Sequence, residues 1–356
     1  MFDIHMLPAD HGDCLWVDYG DEARPRHILI DAGTPGTWPR LRKKIDAERA
    51  KNNGKLHFEL FVITHIDADH IGGSIKFLEE CGPMGITFGE VWFNGWHQLD
   101  NEAPPDVLGA MQGEALTALI DSHNFKWNEK FGRRAVMVPD RGALPSVSYA
   151  GMQLTLLSPT FERLQKLKPD WEKEVVKAGL KPGEAFDVED IEEPSDELGE
   201  DVEDMANLRF DPDRTKPNGS SIAFIAEHDG KRVLFGADAH ADVLLASLKR
   251  GPLAHADALP LDVFKIAHHG SKKNISRELI EALPAKRYLV STSGAIFGHP
   301  NPEAIARIAV FGPENKALDF NYRTEFNEEW DSRSRKLDWG LTTRYGDEEK
   351  GLLVRL

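Results

Sequence analysis

Short apolar runs bounded by Gly, Pro, Asn or Asp recur along most of the chain. Runs of that length, bracketed by turn formers and rich in Val, Ile and aromatic residues, predict β-strands rather than helices. Phe2 to Leu7 and Cys14 to Tyr19 read as a first pair, joined by Pro8-Ala9-Asp10-His11-Gly12-Asp13, and Arg26 to Asp31 reads as a third strand. An amphipathic helical segment follows from about Trp38 to Ala50. Phe58 to Thr64 then returns to strand, Ser74 to Glu80 to helix and Val91 to Asn94 to strand. Gly113 to Phe125 is expected to be helical, Ala135 to Val138 and Met152 to Leu157 extended, and Phe161 to Leu180 a charged helix. Ser221 to Glu227 and Arg232 to Phe235 flank Asp229-Gly230, a pair that predicts a tight hairpin. Val263 to Ala267, Arg287 to Ser291 and Gly351 to Arg355 complete the strands. Two β-rich halves with helices outside them, and no internal repeat, predict an α/β fold of the αββα four-layer sandwich type. It is read as one domain over residues 1–356, carrying a charged helical and acidic insertion at about 161–210.

Three of these strands end in residues that bind metals. His65-Ile66-Asp67-Ala68-Asp69-His70 follows Phe61-Val62-Ile63 and precedes Gly72-Gly73. Four ionisable groups within six residues, at the end of a buried strand, need a counter-charge, and a divalent cation supplies it. Two imidazoles and two carboxylates suit zinc or manganese. Lys231 to Phe235 runs into Gly236-Ala237-Asp238, and Leu261 to Ala267 into His268-His269-Gly270-Ser271. Three such strand ends predict one convergent site.

Composition narrows the setting. A chain of 356 residues with 41% hydrophobic content has enough apolar surface for a large core. No apolar run is long enough to span a membrane, and the N-terminus carries no signal-peptide pattern. Cys14 and Cys81 form no paired motif, which argues against a disulfide framework or zinc ribbon and fits a reducing, cytoplasmic setting. Of the net charge of −16, the run from Glu184 to Asp204 contributes −12 through twelve acidic residues and no Lys or Arg, leaving −4 for everything else. Acidity therefore does not exclude a polyanionic substrate. The run itself reads as a solvated insertion, or as a nucleic-acid mimic covering a basic cleft.

The pattern His65-x-Asp67-x-Asp69-His70 resembles the signature of the metallo-β-lactamase fold superfamily, with Asp67 where the usual signature has a second His. Together with Gly12-Asp13, Asp31-Ala32-Gly33, Asn218-Gly219-Ser220-Ser221, Gly236-Ala237-Asp238, His268-His269-Gly270-Ser271 and Gly298-His299-Pro300, it most resembles the nuclease-like domain of the ComEC family of DNA-uptake proteins. That resemblance spans most of the chain outside about 161–210. It implies two divalent metal ions: His65 and Asp67 on one, Asp69 and His70 on the other, Asp238 bridging, and His268 or His269 completing the second site. It also implies that Asp31 supports the cluster by hydrogen bonds and that Asn218 stands where many relatives carry a further ligand. Asp67 hardens the first site towards oxygen-preferring cations.

Two cations sharing a water suit phosphodiester cleavage. Asp69 is the candidate to orient the nucleophile, and His299 the candidate general acid or phosphate contact. Ser271, Lys272 and Asn218 are the candidate substrate contacts, and Ser271 and Lys272, with Lys273 and Asn274 after them, could hold phosphate oxygens. Trp96, His97 and Asn94 are weaker candidates for a pocket wall. The expected substrate is a phosphodiester, nucleic acid among the candidates, with no membrane partner and no oligomeric state assigned. The competing readings are a hydrolase of a small ester, lactone, thioester or phosphorylated metabolite, and a non-catalytic module that uses metal for structure.

Overall fold

The computed structural model describes residues 1–101, 113–177, 201–250, 253 and 258–356. Strands β1 (Phe2–Met6), β2 (Leu15–Asp21), β3 (Arg24–Ile30), β4 (Leu56–Val62), β5 (Ile86–Phe88) and β6 (Val91–Trp92) build one sheet. A second sheet holds β7 (Ser146–Tyr149), β8 (Met152–Ser158), β9 (Ala223–His228), β10 (Lys231–Phe235), β11 (Val263–Lys265), β12 (Arg287–Val290), β13 (Lys316–Phe320) and β14 (Leu341–Tyr345). The last strand, β15 (Leu352–Arg355), returns to the first sheet beside β1. The spatial orders are β15-β1-β2-β3-β4-β5, with β6 also on β4, and β14-β13-β12-β11-β10-β9-β8-β7. The helices are α1 (Trp38–Lys51), α2 (Ala68–Cys81), α3 (Gly113–Ser122), α4 (Phe161–Lys177), α5 (Val202–Asn207), α6 (Lys216–Gly219), α7 (Ala241–Leu248), α8 (Arg277–Ala282), α9 (Pro302–Phe311) and α10 (Arg333–Asp338).

Alternation along the first sheet explains the layers. Phe2, Ile4 and Met6, then Leu15, Val17 and Tyr19, pack in one core with Leu154, Leu156, Phe224 and Phe235 of the second sheet. The opposite face of the first sheet, with Trp16, Leu29, Phe58 and Phe61, packs on Trp38, Leu41 and Ile45 of α1 and Phe77 and Leu78 of α2. Leu244 of α7, Leu279 of α8 and Ile305 of α9 join the core of the second sheet. This is the αββα arrangement, and truncating a buried aromatic such as Phe61 to Ala would cost about 3–5 kcal/mol. The Asp229-Gly230 hairpin forms as expected, with both residues at positive φ. Cys14 and Cys81 are free and buried. No helix among the described residues is long and apolar enough to cross a membrane.

Several expectations change. Ala135 to Val138 is not a strand; Val138 makes one isolated bridge to Thr160. Strands β5, β7, β13 and β14 and helices α5 to α10 add to the expected set. Helix α2 starts at Ala68, not Ser74, so Gly72 and Gly73 lie inside it. Close approach explains Gly73: a Cβ there would sit 2.1 Å from the Ala32 carbonyl oxygen. Most of the acidic run, and residues 178–180 of the expected charged helix, lie outside the described residues.

Candidate metal centre

Parallel strands deliver the site from both sheets. Asp31 follows β3, His65 and Asp67 follow β4, Asp238 follows β10, and His268 and His269 follow β11. Asp67 caps α2, so Asp69 and His70 occupy its first turn, where the helix dipole favours negative charge. Gly12 lets the β1–β2 loop lie against that turn, since a Cβ there would fall 1.8 Å from the Asp69 carbonyl oxygen. The structure therefore brings His65, Asp67, Asp69, His70, Asp238, His268 and His269 into one cluster.

The hydrogen bonds fix which ring nitrogen of each histidine carries its proton. Asp31 accepts from Thr64 N at 2.8 Å and Thr64 Oγ1 at 2.7 Å, and His70 Nδ1 donates to its Oδ2 at 2.8 Å. The Thr64 hydroxyl has given its proton to Asp31, so it accepts from His65 Nδ1 at 3.0 Å. His269 Nδ1 donates to the Ser291 carbonyl at 2.7 Å, and His268 Nδ1 to Asn274 Oδ1 at 2.9 Å. All four Nε2 atoms therefore present lone pairs. They lie 3.9, 3.5, 3.8 and 3.6 Å, for His65, His70, His268 and His269, from one oxygen, Asp238 Oδ2. His70 Nε2 and His269 Nε2 face each other at 3.2 Å. Acceptors aimed at acceptors are unfavourable unless a cation lies among them.

The donor set fits that cation. Asp69 Oδ2 lies 3.7 Å from His70 Nε2 and 3.4 Å from His269 Nε2, and Asp67 Oδ2 lies 3.4 Å from His65 Nε2. Donors sharing one zinc-sized ion at bonds of ~2.1 Å and tetrahedral angles stand ~3.4 Å apart. His65 Nε2, Asp67 Oδ1 and Asp238 Oδ1 are buried with no hydrogen-bond partner. Burial disfavours a charged His70, yet Asp238, Asp69 and Asp31 outweigh it and push that imidazole well above its usual range. Burial likewise works against the charged Asp238, but His70, His269 and His268 hold it well below the carboxylate range. In the absence of metal a proton supplies the missing positive charge. Asp13, His70, Asp238 and His269 also offer atoms within 4.8 Å of one another. The Asp13 carboxylate is paired with the buried ammonium of Lys265, which makes Asp69 the better donor.

Of His268 and His269, His269 stands with Asp69 and His70, and His268 approaches Asp238 separately. The expected phosphate contacts are arranged differently. Ser271 is fully buried, its backbone closing a turn onto His268 O, and its Oγ accepts from Lys273 N. Lys272 Nζ is paired with Glu303 at 3.0 Å. Asn218 is buried and donates to Asp213 at 2.9 Å. His299 is buried edge-on to His268, with ring centroids 5.3 Å apart. Burial, then His268 and His269, hold it well below the usual imidazole range. A neutral ring there lacks the extra proton that a general acid needs. Asn94 is committed to Val136, and the Trp96 ring lies under Lys168.

Three contributors were not anticipated. Lys265 sits fully buried against Asp13, and a lone lysine inside an apolar strand was the available signal. Asp213 and Asn274 form the support of His268, and Asp213 lies in a stretch without periodicity.

Residues 10–145 match the family model described as the metallo-beta-lactamase superfamily, and the two-sheet architecture is consistent with that fold. The match covers residues 10–145, and the superfamily it describes is made up mostly of hydrolytic enzymes. Among solved structures it is similar to zinc-bound PqqB from Methylobacterium extorquens, at 14% identity and a TM-score of 0.42, with 100% of each chain covered. It is also similar to the metallo-beta-lactamase fold protein YhfI from Bacillus subtilis, at 9% identity and a TM-score of 0.37, again with 100% of each chain covered. No curated protein matches the chain.

Proposed function

We propose that this chain is a metal-dependent hydrolase of phosphodiesters, nucleic acid among them, working with two divalent cations, zinc or manganese. The observation that carries the metal-dependent reading is the convergence of four imidazole lone pairs on Asp238 Oδ2. His65 and Asp67 would hold one cation, Asp69, His70 and His269 the other, with Asp238 in reach of both and His268 beside it. When bound, such a pair supplies a water acidified from ~15.7 towards ~7 and neutralises charge on phosphoryl oxygens.

The chain's own residues do the rest. Asp31, Thr64, Ser291 and Asn274 keep protons on the outer ring nitrogens, so the inner lone pairs need no rearrangement. Burial of His65, His70, Asp238 and His269 keeps bulk water out. Asp67, Asp69 and His268, with side chains 17%, 14% and 11% exposed, form the open edge that a substrate reaches. The partly exposed Asp69 carboxylate is the group that would orient an incoming water at this edge. Three carboxylates make the donor set harder than an all-imidazole one, which favours cations that take phosphoryl oxygens and supports phosphodiesters over lactams.

The test is metal analysis of the purified chain followed by an activity screen with zinc and manganese each supplied. Near two equivalents, with cleavage of bis(p-nitrophenyl) phosphate, DNA or RNA, is the expected result. Turnover of lactones or thioesters alone would replace the substrate class, and no metal after reconstitution would remove the metal-dependent reading.

A further inference from the structure

Asp213 belongs to no element of the metal cluster, yet it is buried and its carboxylate is crowded with donors. Oδ1 accepts from Thr215 N at 2.8 Å, and Oδ2 from Asn218 Nδ2 at 2.9 Å and Asn274 Nδ2 at 3.1 Å. Asn274 Nδ2 also faces the carbonyl oxygens of Asp238 at 3.2 Å and Ala239 at 3.3 Å. Three acceptors on one side leave the amide a single orientation: NH2 towards Asp213 and the backbone, Oδ1 towards His268 Nδ1. Nδ1 carries the proton towards Asn274 Oδ1 at 2.9 Å, a closer contact than the 3.4 Å to Asn218 Nδ2, and Nε2 turns its lone pair to the space it shares with Asp238. His240 Nε2 approaches the same Asp213 oxygen at 3.7 Å, and His268 Nδ1 at 3.6 Å.

We propose that Asp213 is a positioning residue that sets the tautomer of His268 through the side-chain amide of Asn274, and so makes His268 a metal ligand. The proposal rests on the metal-centre reading but not on any substrate. An amide at 213 that turns its NH2 towards Asn274 replaces the nearest and only charged of the three acceptors by a donor. The carbonyls of Asp238 and Ala239, at 3.2 and 3.3 Å, are then all that holds Asn274 against turning its own NH2 towards His268. Nδ1 then becomes the acceptor and the proton moves to Nε2, facing Asp238. A carboxylate at 274 paired with an amide at 213 reverses this: it accepts from His268 Nδ1 and from residue 213, and Nε2 is again bare.

The experiment compares the full-length chain with Asp213→Asn, Asn274→Asp and the double variant. Nitrogen-15 spectra of histidine-labelled, metal-free protein at mildly alkaline pH give the tautomer, with His268→Gln marking the His268 signals. Calorimetric titration with zinc or manganese gives the affinity. Asp213→Asn is expected to shift His268 to the Nε2–H form and to weaken one metal equivalent by about 10–100-fold. The double variant is expected to return the Nδ1–H form and most of that affinity. Retention of the Nδ1–H form with unchanged affinity in Asp213→Asn overturns the proposal. Should that variant fail to fold, the double variant decides: an Nε2–H form there overturns the proposal equally. A wild-type chain that binds no metal but shows the tautomer switch would remove the metal-centre reading and leave the Asp213–Asn274–His268 linkage standing.

Discussion

Replacing Asp31 by Asn changes one atom and tests the proton assignments on which the site depends. Asp31 has φ +55°, a region asparagine tolerates at least as well, so the backbone is not the variable. The amide oxygen can keep the bond from Thr64 N, but its NH2 then faces the Thr64 hydroxyl and His70 Nδ1, both of which donate to Oδ2 in the wild type. The hydroxyl can rotate and accept. In the metal-free chain His70 can do so only by giving up its Nδ1 proton and keeping the one on Nε2, which faces His269 Nε2 and Asp238, so the imidazolium that Asp31 supports is lost. Bonds to a charged acceptor contribute about 1.5–3 kcal/mol each, so losing one and weakening another should cost about 3 kcal/mol in the metal-free chain. That is survivable for a domain stable by about 5–15 kcal/mol. Metal affinity at the His70 position should fall by about 10–100-fold, equivalent to about 1.4–2.7 kcal/mol. Urea denaturation of the metal-free protein reads the first number and calorimetric metal titration the second. A variant that loses less than about 1 kcal/mol and keeps both equivalents at wild-type affinity would refute the tautomer argument.

Asp69→Asn should lower turnover by about two orders of magnitude or more with its circular dichroism unchanged, and normal turnover would show that this carboxylate has no essential role. Gly12→Ala should destabilise the chain by about 1–3 kcal/mol and reduce metal content, because the new Cβ must displace the Asp69 carbonyl at the start of α2; denaturation together with elemental analysis checks both. For pH, the His70 value is raised, so its contribution to metal-free stability is complete below about 6.5 and is lost as pH rises through the higher folded value. Metal displaces that proton, so affinity measured by titration should increase with pH. Asp213 and Asp238 are lowered, so their contribution is complete above about 3.9 and is lost as pH falls towards the folded values, which acid denaturation of the metal-free chain should show.

The candidate ligands are legible because each stands at or within a few residues of the end of an apolar strand, where a charged group is costly unless something binds it. Their supports are less so. Asn274 and Ser271 follow a His pair beside two lysines, and local charge made that loop read as phosphate-facing. The chain instead turns inward there, and their polar atoms go to His268 and to the turn. Helix α2 was read as starting late because Gly72-Gly73 is a turn signal, whereas the glycines serve close packing against Ala32 and Pro35. Lys265 and Asp13 lie 252 residues apart, and no local pattern pairs them. What periodicity reports is which face is buried; what it omits is which distant polar group a buried side chain meets.

One geometric problem shows how the backbone and the cluster depend on each other. Neighbouring residues of a strand point to opposite faces, so a strand that simply continued past β11 would aim only one of His268 and His269 at Asp238. Both rings reach the same oxygen, at 3.8 and 3.6 Å. The chain achieves this by placing both residues in the left-handed region, at φ +47° and +52°, immediately after the strand ends. Ala237, next to Asp238, is there too, at φ +46°, and His268 N donates to its carbonyl at 2.9 Å. Side-chain-bearing residues cost about 1–2 kcal/mol each in that region. Glycine would remove the cost at 268 and 269 but would also remove the imidazoles, so the strain is retained where the donors are needed. At 268 and 269 the requirement that two neighbouring side chains converge on one carboxylate oxygen accounts for this conformation.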